Sequence, residues 1–433
     1  MNKFFYYALY LVPCFSMPGL LNIAHAQEHG KIMLNYAQCD LQQAMDIAMK
    51  NNPELTALEC ELRAAQARIS QAGLLPNPTF SAESENFSGD RAGFNLTENT
   101  FSITQPFLLG GKIALQKRMA DKEKGVILHN FETKKINVIT EVEHAVYDIL
   151  LFQEIVTFAK ENMINAKKLH EFIEEKTKKK NSTSYQHELL SAKLELAQAE
   201  FEIYDAENNL EIAKKYLTTL WGEPERLLGK ITCELDRTFH VPEYDIVKEY
   251  IMKNNHEIQA IEAQREREAI ALQLAQAERI PDIDLEFGVR QFAEDDTYSF
   301  VTGLSFPLPL FNRNQGKIQE VIDNSRKIEA EKNILINKLL LQLGENYRNY
   351  QNTLRQVTID KNSVLPMAQA YFDLTLREYQ EGILEYLEVL NAERKLTETN
   401  KRYTEALHDL QIVVATLEKL CAKTFHGENG EAF

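Results

Sequence analysis

Proline is scarcest where it matters most. The chain has 12 prolines in 433 residues, none between Pro106 and Pro224 and only Pro366 after Pro309. Glycine is also sparse in those tracts. Both residues break helices, so long helices are expected over roughly 110–178 and 313–380. At about 1.5 Å per residue each runs on the order of 100 Å, a length that suits coiled coils or helical barrels. Long apolar runs are missing too. Beyond residue 26 no stretch of eighteen apolar residues occurs, so any membrane crossing must use strands. Cations are outnumbered, 48 Lys and Arg against 64 Asp and Glu, for a net charge of −16. That excludes nucleic acid as a partner and suits a surface or lumen that tolerates cations.

Chemistry-bearing motifs are equally scarce. His170-Glu171, His187-Glu188 and His256-Glu257 lack the second histidine of H-E-x-x-H. There is no P-loop, no G-x-S-x-G and no dinucleotide fingerprint. The ten histidines and nine methionines are scattered, so no metal site, cofactor or catalytic residue is expected. The five cysteines form no C-x-x-C pair. Cys39 with Cys233 is a candidate disulfide for an oxidising compartment; the alternative is that the cysteines are small buried residues.

What is present begins with a targeting segment, residues 1–26. Lys3 precedes an apolar stretch broken by Pro13 and Pro18, and Ala24-His25-Ala26 is an A-x-A cleavage site. Cys14 lacks the small residues that a lipid-attachment site needs before it. Next come two hairpins, about 77–107 and 282–307. In the second, Ile283, Leu285, Phe287 and Val289 alternate with Asp284, Glu286, Gly288 and Arg290. Tyr298, Phe300, Leu304 and Phe306 alternate with Ser299 and Ser305, across an acidic turn at 293–296. One greasy face, one polar face and arms of about ten residues match tilted membrane strands.

The chain also repeats itself at an offset near 200. Asn51-Asn52-Pro53-Glu54-Leu55 answers Asn254-Asn255-His256-Glu257-Ile258, and Gly111-Lys112-Ile113 answers Gly316-Lys317-Ile318. Glu188, Leu190 and Ala192 answer Glu388, Leu390 and Ala392. Two halves are expected, 27–221 and 243–433, joined by a linker or equatorial segment at 222–242. Each should run short helix (41–50, capped by Asp40; 244–253), second helix (53–73; 256–279), hairpin, long helix and return helix (185–221; 384–423). Four strands cannot close a membrane barrel, and lipid permits no open sheet edge. Two copies would give a filled barrel, three a twelve-stranded one with a lumen. The expected class is therefore mainly α with membrane β, completed as a cyclic homotrimer.

These residues carry a resemblance. A-G-L-L-P-N-P at 72–78, Q-P-F-L-L-G-G-K at 105–112, P-L-P-L-F-N-R-N-Q-G-K-I at 307–318, L-P-M-A at 365–368 and Y-Q-E-G-I-L-E-Y-L-E-V-L-N-A at 379–392 stand in order on the duplicated plan. The chain resembles the TolC-like outer-membrane efflux proteins, most closely the heavy-metal branch typified by CzcC and CusC. The resemblance implies a trimeric duct in the outer membrane of a Gram-negative bacterium, extending into the periplasm. Its partners would be a periplasmic adaptor and an inner-membrane RND pump, and its role passive conduction, here of heavy-metal cations. A multidrug or type I secretion duct and a periplasmic coiled-coil scaffold are the alternatives. The resemblance places the adaptor-contacting tip at Lys178, Lys179, Lys180 and Asn181, which lack the family's glycine, and at Tyr379, Gly382 and Ile383.

Other residues are singled out by their own chemistry. Gly110, Gly111 and Gly316 should supply the strand-to-helix bend, and Pro307 and Pro309 should end the last strand. Pro366 should kink its helix, as a hinge or as a static bend. Glu378, Glu381, Glu385 and Glu388 could form acidic rings in a lumen, or simply a solvated helix face. Lys176 and Lys178 to Lys180 could pair with them and latch the tip.

Overall fold

A computed structural model describes residues 36–87, 94–180, 183–233, 235–237, 241–423 and 425. The expected targeting segment, the first hairpin's tip and Asn181 lie outside the described residues, as do the side chains of Lys176, Lys179 and Lys180. The elements are β1 (Tyr36–Cys39), α1 (Leu41–Asn51), α2 (Pro53–Ala72), β2 (Thr79–Glu85), β3 (Glu98–Phe107), α3 (Lys112–Lys180) and α4 (Thr183–Leu220). There follow β4 (Leu228–Ile231), α5 (Tyr244–Asn254), α6 (His256–Ala277), β5 (Ile283–Phe292), β6 (Thr297–Ser305) and α7 (Gln315–Ile359). A π-helical turn (Asp360–Val364), α8 (Leu365–Gln380) and α9 (Tyr386–Cys421) complete the chain. The 69 residues of α3 run unbroken, about 100 Å of helix. No described helix is long and apolar enough to cross a membrane.

The hairpins merge into one antiparallel sheet of order β2-β3-β5-β6. Its register puts Phe80, Ile103, Phe287 and Thr302 in one row and Ala82, Phe101, Val289 and Phe300 in the next. This face is bare apolar surface, with Phe300 90% exposed. The opposite face is polar. Arg290 Nε donates to Thr100 Oγ1 at 2.9 Å and Nη1 to Glu98 Oε2 at 3.1 Å, with Glu85 Oε2 3.6 Å from Nη2. A Cβ on Gly288 would come within 2.7 Å of the Phe101 carbonyl oxygen, so only glycine lets β3 and β5 pair this closely.

The main core sits at mid-length, where α1, α3, α5, α7 and α9 meet. Trp221 is fully buried there, and its Nε1–H donates to the Ala44 carbonyl at 3.0 Å. Two buried asparagines act alike. Asn52 Oδ1 caps α2 through the N–H groups of Glu54 and Leu55, while its Nδ2 donates to the Leu220 carbonyl at 2.9 Å. Asn255 caps α6 through Glu257 and Ile258 and donates to the Leu420 carbonyl at 3.1 Å. Each ties the start of one helix to the end of another. Burial pushes the Glu143 carboxyl in this core up to about 8, with the Glu418 charge adding and Arg237 opposing.

One segment gains detail and two expectations need correction. The segment 222–242 is more than a joint: β4 pairs in parallel with β1, and Leu228, Ile231 and Leu235 enter the core. Cys39 and Cys233 do not bridge; none of Cys39, Cys60, Cys233 and Cys421 is in a disulfide, and Cys39 and Cys421 are buried. Gly316 lies inside α7 without a left-handed φ. The bend there belongs to Asn314 (φ 59°), whose Nδ2 donates to the Ala275 carbonyl at 2.8 Å and to Glu278 Oε2 at 2.7 Å. An amide side chain can hold αL by its own hydrogen bonds, which leaves glycine unnecessary. Gly110 and Gly111 do both have φ of 72°, and Lys112 pins that junction from 2.7 Å to Asp282 Oδ1 and the Ile280 carbonyl. Pro307 and Pro309 follow the end of β6.

Candidate functional site: the helical tip and the strand face

The end of the helices remote from the sheet is built around one turn. α8 stops in a Schellman motif: Ile383 N–H donates to the Glu378 carbonyl at 2.9 Å and Gly382 N–H to Tyr379 at 3.0 Å. Gly382 takes φ 81°, the left-handed value that disfavours a side chain. Beneath the turn Ile173, Ala192, Tyr379, Tyr386, Val389 and Leu390 form a small separate core. Phe172 meets Tyr379 edge-on at 5.8 Å, and Tyr386 lies 6.2 Å from it.

Tyr379 is therefore misplaced as a contact residue. It is 4% exposed and props the turn from inside. The exposed apolar groups beside it are Ile383 and Leu387, and the latter carries no signal in the motif that could mark it. Glu381, Glu385 and Glu388 are exposed and Glu378 half-buried. The expected latch is not formed through Lys178, whose Nζ lies 2.9 Å from Glu174 Oε1, one turn back on its own helix.

Pro366 is the second residue of α8 and follows the π turn, where Leu365 N–H donates five residues back to the Asp360 carbonyl. A proline removes one i→i−4 bond, and the wider turn absorbs that loss. Buried Asp360 is held from α9 by Arg402, Nη2 to Oδ1 at 2.7 Å. Neither the π turn nor this pair had a sequence signal beyond Pro366. Among the described residues no group of three or more His, Cys, Asp or Glu could hold a metal ion.

A family model described as "Outer membrane efflux protein" matches this chain at residues 44–223 and again at 249–423, most of its length. The cobalt-zinc-cadmium resistance protein CzcC of Cupriavidus metallidurans is 23% identical over 88% of this chain and 90% of its own. The nickel-cobalt-cadmium resistance protein NccC of Alcaligenes xylosoxydans xylosoxydans is 23% identical over 67% of this chain and 64% of its own. A solved structure of CusC superposes with a TM-score of 0.74 at 16% identity, covering 88% of this chain and 91% of that one. With the open antiparallel sheet and the long paired helices, the family match makes the chain a member of the outer membrane efflux protein family.

Proposed function

We propose that this chain is the outer-membrane duct of a tripartite efflux system, a homotrimer that passively conducts heavy-metal cations handed on by a periplasmic adaptor and an RND pump. One observation carries the reading: both layers of the chain end in open edges. The sheet stops at β2 and β6. The helices pack in the order α4, α3, α9, then α7 with α8. The outer helices carry exposed apolar stripes. On α4 these are Leu190, Leu194, Phe201, Tyr204, Ile212 and Tyr216; on α7 and α8 they include Ile334, Leu341, Met367 and Leu374. Rotating copies about one axis joins β6 to the next β2, and α7–α8 to the next α4, which closes both layers at once. Three copies give twelve strands, enough to leave a lumen. The phenylalanine face then meets lipid, and the face with Glu83, Glu85, Glu98 and Arg290 lines the lumen, net acidic as a cation path would be.

On this reading residues 27–221 and 243–433 are duplicated halves. Ile383 and Leu387 present the tip to the adaptor. Glu381, Glu385 and Glu388 repeat as acidic rings, and the π turn at Pro366 is where the tip bends. The test is fractionation followed by planar-bilayer conductance of the purified oligomer. A heat-labile trimer in the outer membrane with cation-preferring pores supports the duct. A soluble monomer without conductance overturns it. Loss of metal tolerance in a deletion strain then tests the cargo.

A further inference from the structure

A cavity of about 360 Å³ opens near the tip between α3, α8 and α9 of a single chain. Phe172, Phe372 and Tyr379 wall it with rings, and Leu376 and Val389 extend the apolar lining. Its one acidic lining residue is Glu393. Glu393 forms part of the cavity wall, while its Oε1 has no accessible surface and accepts no hydrogen bond from any described residue. Buried carboxylates are normally given donors, because leaving one without them is costly.

The charges around Glu393 do not supply the missing donor. Arg394, its neighbour on α9, is committed to Glu195 of α4. Burial first, and then the Glu195 charge, push the Glu393 carboxyl up to about 7, with Arg394 opposing. Tyr386 of α9 is buried nearby, and Tyr379 of α8 faces the cavity. Lys168 of α3 lines the cavity but is exposed, so its charge is screened by solvent. Ring faces attract cations, and a carboxylate without a donor bonds strongly to a charged N–H. A bare metal ion is a poor match, since it needs several oxygen, nitrogen or sulfur donors.

We propose that this cavity binds an organic amine, its ammonium donating to Glu393 and its aryl or alkyl stem lying among Phe172, Phe372 and Tyr379. The three helices that line the cavity come from the same protomer, so the proposal does not rest on the duct reading. The ligand would rest on Tyr379, three residues before Gly382, and so would stiffen the α8–α9 turn.

Saturation-transfer NMR on the whole protein in nanodiscs tests this, with empty nanodiscs as the control for lipid partition. The probes are 4-phenylbutylamine and its neutral counterpart 4-phenylbutan-1-ol. The amine should bind saturably and at least about tenfold more tightly than the alcohol. Glu393→Gln should weaken the amine by about tenfold and leave the alcohol unchanged. Affinity for the amine should rise from about pH 6 to about pH 8, as Glu393 ionises, and the rise should vanish in Glu393→Gln. Equal binding of amine and alcohol, or an amine indifferent to Glu393→Gln, overturns the proposal. Fluorescence of Trp221, buried in the separate main core, reports whether the variant is folded. If it is not, the amine–alcohol contrast and the pH dependence of the native protein decide the matter alone.

Discussion

The mid-length core and the tip are made from the same long helices, yet they are held in opposite ways. At mid-length Trp221, Leu217, Ile149, Leu343 and Leu417 are all fully buried, and two asparagines tie helix starts to helix ends. At the tip a handful of side chains close over one glycine turn, a cavity remains, and a carboxylate oxygen lacks a donor. Helix length alone therefore does not set rigidity. What sets it is the buried apolar area at each crossing, since Gln411 Oε1 in the mid-length core also lacks a donor among the described residues. The same long helix α3 is fixed at its middle and lightly held at its far end.

Four measurements break or sharpen that contrast. Trp221→Ala removes a large buried ring and strands the Ala44 carbonyl, so it should cost about 3–5 kcal/mol; the urea midpoint of the purified protein reads it. Asn52→Ala and Asn255→Ala each lose a cap and a buried donor and should each cost roughly 2 kcal/mol. Unequal costs would mean that the two clamps are not equivalent.

Glu143 gives a pH test. Its folded-state pKa is raised from 4.5 to about 8, so the folded state holds a proton that the unfolded chain releases. Stability from this group is full below about pH 4.5 and falls as pH rises to about 8. Glu143→Gln should flatten that slope, raising stability at pH 8 and leaving it unchanged at pH 4.

The smallest effect belongs to the tip. Gly382→Ala forces a side chain into αL at a cost of about 1 kcal/mol. Global stability should barely move, while amide exchange across 376–390 quickens. If exchange at mid-length quickens equally, the two regions are not independently held.

Much of this architecture could be read in the sequence, because proline and glycine punctuate it and the strands alternate strictly. Asp40 does cap α1, and the helix and strand boundaries fall within a few residues of expectation. The misses share a cause. The pairing of β1 with β4 joins four-residue strands that carry no usable period. Asn52 and Asn255 were visible as a repeated motif, but their second bond goes to carbonyls 168 and 165 residues away. Tyr379 was placed at the tip by the resemblance alone, and a motif cannot say which of two neighbouring helices a ring will meet. Glu393 was one acid among many until burial singled it out.

The pairing of β1 with β4 also sets an order in time. Tyr36 meets Leu228, and the Asn52 and Trp221 bonds close loops of 168 and 177 residues. Residues 36–53 are synthesised early, and although α1 can meet α3 sooner, β1 and the Asn52 side chain lack these partners until the chain has grown past 220. Loop closure on that scale is entropically costly and slow. β1 must therefore wait, without its partner strand, for the middle of the chain to arrive. The window for capture by a chaperone, or for attack by a protease, is set by how fast the chain emerges rather than by how stable the finished protein is.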